Sequence, residues 1–67
     1  MLHVRLVVPD HLEVEVRSAL DGEPIVNVVW NLQVVQRPNG SLVLFDVPSE
    51  SANRVIGKLR ALQLHEH

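Results

Sequence analysis

Four histidines and eight carboxylates are the groups with which this chain could do chemistry, and their spacing sets what that chemistry could be. His65-Glu66-His67 places two imidazoles where an extended backbone could offer both to a metal. A terminal segment loses conformational entropy on ordering, and a stable site needs a third rigid ligand that the segment lacks. Asp10 with Glu13, and Asp46 with Glu50, are carboxylate pairs of the kind used for proton transfer. Both fall at expected helix starts, where a carboxylate satisfies free N–H groups and the helix dipole instead. His3 and His11 read as solvated side chains at the start of strand one and of helix one. No Ser-His-Asp order, G-x-S-x-G elbow, P-loop or G-x-G-x-x-G is present. The expectation is a protein that is not an enzyme and holds neither metal nor cofactor.

Composition narrows the class further. With 67 residues there is room for one domain and one core, and a chain of this size buries only about 60% of its unfolded surface. It has no cysteine, so neither a disulfide nor a thiolate metal site can reinforce it. One Phe and one Trp are its only aromatic residues, so Val and Leu must build the core, and β-branched residues favour a pleated surface. Six basic and eight acidic residues are dispersed to a net charge of −2, which leaves no electrostatic footprint for nucleic acid. No apolar run approaches the roughly 18–20 residues that span a bilayer, and the opening residues lack the form of a signal peptide.

The elements that must position these groups follow from periodicity. Leu2, Val4, Leu6 and Val8 alternate with His3, Arg5 and Val7, a strand that Pro9 ends. Asp10 is the expected N-cap of a helix to about Leu20, with Glu13 completing a capping box and Leu12, Val16, Ala19 and Leu20 as its buried stripe; Val14 falls off that stripe. Asp21-Gly22 and Pro24 stop it. From Ile25 to Val35 the even set Val26, Val28, Trp30, Leu32 and Val34 is the more apolar. Arg37-Pro38-Asn39-Gly40 is a turn, so this strand and Leu42–Val47 form an antiparallel hairpin. With Pro38 and Asn39 as turn residues, Val34 lies opposite Val43, Leu32 opposite Phe45 and Trp30 opposite Val47. Ile25 to Val29 then extend past strand three, and a bulge or bend near Asn31 is expected. A last helix capped by Ser49 carries Ala52, Val55, Ile56, Leu59 and Leu62 on one stripe and fades at Gln63, with Gly57 a candidate for close approach to the sheet.

The order β-α-β-β-α is an α+β, ferredoxin-like unit without its last strand: one domain over residues 1–67, a three-stranded sheet in the order 1-3-2, and two helices on one face. Right-handed crossovers are taken to set strand one parallel to strand three, which sits in the middle of the sheet. Strand one keeps an open edge with only Arg5 to discourage pairing, so a fourth strand or a second copy should cover it.

Known uses of such domains can be tested on the residues. A metal-carrying domain needs paired cysteines after strand one, an RNA-recognition domain needs exposed aromatics on its central strands, and an anion-binding phosphatase loop needs an Arg where this chain has Val8-Pro9-Asp10-His11. None is met. The sheet face away from the helices should carry Val7, Leu42, Leu44 and Val35 among His3, Arg5, Asn31, Gln33 and Asp46, a half-apolar face suited to contacts. Trp30 and Phe45 belong to the core. The candidate interaction surface is Leu2, Val4, Leu6, Val7, Leu42 and Leu44.

Several segments together are familiar: Met1-Leu2-His3-Val4-Arg5-Leu6 with Pro9, Val26-Asn27-Val28-Val29, the Arg37-Pro38 to Gly40 turn, Leu42 to Val47, Glu50 to Ile56, and Leu59-Arg60-Ala61-Leu62. Over nearly its whole length the chain resembles the N-terminal region of the bacterial hydrophobic membrane proteins catalogued as domain of unknown function 389, the actinobacterial branch above all. Gln63 stands where that family has a glycine, and Val34-Val35-Gln36 replaces smaller residues. The resemblance implies a soluble cytosolic domain preceding a multi-pass inner-membrane region, with regulation or assembly as its role and the membrane region and further copies of the chain as partners. No site residue is carried over. A small-molecule sensor that binds a ligand between paired sheets is the alternative.

Overall fold

A computed structural model describes residues 1–37 and 39–62. Pro38, the expected helix end at Gln63 and the His65-Glu66-His67 segment lie outside the described residues. The elements are β1 (Leu2–Pro9), a 3-10 turn (Asp10–Leu12), α1 (Glu13–Leu20), β2 (Val26–Gln36), β3 (Asn39–Val47) and α2 (Ser49–Ala61). They form one three-stranded sheet in the order β1-β3-β2 with both helices packed on one face, the small α+β arrangement expected.

Strand direction differs from expectation: β1 runs antiparallel to β3. The crossover through α1 makes β1 parallel to β2, and the hairpin then reverses β3, which lies between them. The pairing sets Val4 opposite Phe45 and Leu6 opposite Val43 on the helix side, with His3 opposite Asp46, Arg5 opposite Leu44 and Val7 opposite Leu42 on the open side.

Alternation in β1 and β3 makes the core. Val4, Leu6, Val8, Val43, Phe45 and Val47 meet Val16 and Leu20 of α1 and Val55 and Leu59 of α2, all buried. Each such side chain stabilises the fold by about 1.5–3 kcal/mol. Leu12, Ala52 and Leu62 pack at the margin, so both helical stripes take the positions their spacing predicts, and Val14 is exposed.

The helix starts differ from prediction in one detail. Pro9 precedes the 3-10 turn and Pro48 precedes α2, with φ −59° at both and ψ of 149° and 143°. Neither Asp10 nor Ser49 caps its helix; each is the first residue inside, and the Asp10–Glu13 capping box does not form. The ring fixes φ and presents no acceptor, so the Val-Pro pair turns the chain from strand to helix by backbone geometry alone. Gly57 also departs from its reading, with nothing within 4 Å of the place its Cβ would take.

Strand β2 departs most. Val29, Trp30 and Asn31 pair with Leu44, Val43 and Leu42, so Trp30 does not lie opposite Val47, and Val26 pairs with Asp46 instead of running past β3. Near the turn, Gln36 pairs with Asn39, two residues from Ser41, its partner in the predicted register. Between Val26 and Val29, β2 spends two residues where β3 spends one; between Asn31 and Val35 it spends three against one. The second irregularity is the bend expected near Asn31. Asn27 and Gln33, one in each, have φ of 55° and 54°. These shifts break the two-residue period, so of the even set only Trp30 is half-buried, while Val26, Val28, Leu32 and Val34 are exposed.

Buried Ser41 explains the second irregularity locally. Its hydroxyl accepts a hydrogen bond from the Gln33 N–H at 3.2 Å, satisfying an amide that the ladder has lost.

Candidate functional site

The open face of the sheet is built in rows across its three strands. His3, Asp46 and Val26 form one, Arg5, Leu44 and Val29 the next, then Val7, Leu42 and Asn31, and last Pro9, Gly40 and Val35. Val7, Leu42, Leu44 and Val35 are half-buried there, the mixed face their alternation predicts.

The first row ends beside the bulge at Asn27. A left-handed backbone is tolerated by Asn better than by most residues, because its short side chain finds local hydrogen bonds. Here it turns the Asn27 amide onto β3, where Nδ2 donates to Asp46 Oδ2 at 2.8 Å. The other oxygen, Asp46 Oδ1, meets His3 Nδ1. Three strands thus converge on one carboxylate, whose side chain is 13% exposed, while the His3 ring is 88% exposed.

The Asn27 hydrogen bond, then those of His3, hold the Asp46 carboxyl below its ordinary range, and partial desolvation opposes them. A carboxylate so engaged through both oxygens is a fixed anchor more than a proton carrier. Around it lies a pocket of about 300 Å³ lined by His3, Arg5, Asn27, Leu44 and Asp46 with the backbone neighbours Val4 and Phe45. A second hollow of about 260 Å³ lies at the far end of the face, among Asp10, Gln33, Val35, Gln36, Asn39 and Gly40.

A separate polar cluster joins the α1–β2 connection to α2. The Glu23 carboxylate, its side chain 6% exposed, accepts from Arg54 Nη2 at 2.8 Å and from Arg54 Nε at 3.0 Å, and pairs with Lys58. These bonds lower the Glu23 carboxyl and raise the Arg54 guanidinium. Arg17 stacks 4.0 Å from the centre of the Trp30 ring, and Trp30 Nε1 is buried without a hydrogen-bond partner among the described residues. Both arrangements brace the fold.

The candidate chemistry thus redistributes. Asp46 and Glu50 are not brought together, since Asp46 is committed to the open face and Glu50 is exposed at the start of α2. Glu13 pairs with Arg17 at 4.0 Å, not with Asp10. His3 is not merely solvated. Its pairing with Asp46 is legible only once β1 is antiparallel to β3, because a parallel register would not set those two residues side by side. Among the described residues no three His, Cys, Asp or Glu side chains gather to hold a metal.

Of the candidate interaction residues, Leu2 is exposed and Val7, Leu42 and Leu44 line the open face. Val4 and Leu6 turn into the core, so they can meet a partner only through backbone groups. No helix among the described residues is long and apolar enough to cross a membrane. Compared with protein-family models, curated proteins and solved structures, the chain finds no match.

Proposed function

We propose that this chain is a non-catalytic assembly or regulatory domain, working on the cytosolic side of a multi-pass membrane protein and associating with a second copy of itself through β1. The membrane context rests on the resemblance of its segments to domain of unknown function 389. The observation that carries the assembly role is the outer edge of β1. This is a regular eight-residue strand, Leu2–Pro9, whose far side pairs with no strand among the described residues and whose only Lys, Arg, Asp or Glu is Arg5. An edge of that length presents a row of backbone donors and acceptors that another strand satisfies.

Sedimentation of the chain at tens of micromolar tests this, beside Val7→Lys, which adds a charge to the same strand at a half-buried, open-face position. Self-association in the parent and a monomer with unchanged circular dichroism in the variant are expected. A parent that stays monomeric at several hundred micromolar refutes the proposal.

The pocket on the open face favours a second reading, a sensing module in which a small molecule binds as two sheets pair. In that case an added ligand shifts the association equilibrium, by as much as its affinity differs between the monomer and the pair.

A further inference from the structure

The pocket beside Asp46 has a chemistry that selects among small molecules. Asp46 has both oxygens engaged, one by Asn27 Nδ2 and the other by His3 Nδ1, and among the described residues neither is paired with Arg5. Arg5 lines the same pocket and has no hydrogen-bond or ion-pair partner among the described residues. Arg5 lies two residues from His3 on the same face of β1, a backbone separation of about 7 Å. Among the described residues the Arg5 guanidinium is left to an incoming anion, to which its planar fork can donate two parallel N–H···O bonds.

The row that carries Arg5 continues across the sheet through Leu44 and Val29. Leu44 is half-buried and Val29 is 46% exposed, so beyond the guanidinium the surface is apolar for two strand spacings, roughly 10 Å. A volume near 300 Å³ lies at the small end of ligand sites. We infer that this pocket binds a short aliphatic carboxylate, its carboxylate on Arg5 with His3 as the flanking wall and its alkyl chain laid over Leu44 toward Val29. The inference deepens the sensing reading by naming the ligand class, and it does not depend on association through β1.

Heteronuclear NMR titration of the 67-residue chain with butyrate as the probe tests it, with acetate, hexanoate, butanol and inorganic phosphate as comparisons. Butyrate is expected to shift the Arg5 side-chain N–H, the His3 ring and the Leu44 methyls. Affinity should rise about two- to fourfold per added methylene from acetate to hexanoate. Arg5→Gln, a change at an exposed position, should weaken butyrate at least tenfold, with Arg5→Lys in between. Butanol binding as well as butyrate, phosphate matching butyrate with no dependence on chain length, shifts centred away from Arg5 and Leu44, or no saturable shift at tens of millimolar would each overturn it. Sedimentation of the same samples separates the two ideas: butyrate held by a monomer whose association it does not alter sustains the pocket and refutes the ligand between paired sheets.

Discussion

Gly40→Ala should be among the most damaging single-methyl additions this chain can receive. Gly40 lies opposite Pro9 at the end of the β1–β3 pairing and does not have positive φ. A Cβ there would overlap the Val8 carbonyl oxygen and stand 2.9 Å from its carbon and 3.0 Å from Pro9 Cα, where ordinary contact begins at 3.4 Å. All three are backbone atoms, so no side-chain rotation relieves the overlap. The strands must part by roughly 1 Å, and opening that end uncovers Val8, which is 1% exposed. Overpacking of this kind costs about 2–3 kcal/mol, or a fall in Tm of about 8–24 °C for a domain of this size. Thermal unfolding followed by circular dichroism measures it. Gly40→Asn separates the causes: a turn glycine kept for left-handed backbone would tolerate Asn, whereas here Asn should be at least as costly as Ala. Gly57→Ala is the internal control, on an open helical surface where the same methyl group should raise stability by about 1 kcal/mol. A Gly40→Ala protein melting within about 2 °C of the parent, or an Asn variant that restores the parent Tm, refutes the close-approach argument.

Two further outcomes follow from polar groups described above. Ser41→Ala leaves the Gln33 N–H without its acceptor and should cost about 1–3 kcal/mol in urea unfolding, whereas Ser41→Thr, which keeps the hydroxyl, should recover part of it; equal loss in both would mean that steric fit matters at this position and the hydrogen bond does not. Glu23 and Asp46 both titrate below their ordinary values of 4.5 and 3.8 in the fold, so the unfolded chain binds the extra protons, and the stability they add is present above those values and is lost as pH falls through the lower folded ones. The urea midpoint should therefore drop between about pH 5 and pH 3, less steeply in Glu23→Gln/Asp46→Asn, and identical slopes would exclude these carboxylates as the cause.

Much of this architecture can be read from residue order because β1, α1, β3 and α2 keep strict periods. Val16 and Leu20, Val55 and Leu59, and the alternation through Phe45 each assign a face without ambiguity. Strand β2 resists because the reading assumes a constant period of two, and a bulge resets the phase with no large change in composition. Asn27 is a residue known to accept positive φ, but Gln33 has no such tendency, and its partner Ser41 is eight residues away. The His3–Asp46–Asn27 cluster is hidden for a related reason. It needs both the strand directions and the phase of β2, so two errors in pairing are enough to scatter its members.

The two bulges of β2 bear on what happens when many copies meet. A sheet with two clean flanks can add neighbours on both sides and grow without limit, as fibrils do. Here one flank is straight and the other carries three surplus residues, with two amides twisted out of line, so it offers a poor template for an incoming strand. Growth by strand addition can proceed on one side only, and two molecules joined along their straight flanks have used up what each had to give. If the chain associates through β1 as proposed, the irregular strand, costly as its left-handed residues are, would confine that association to a closed pair.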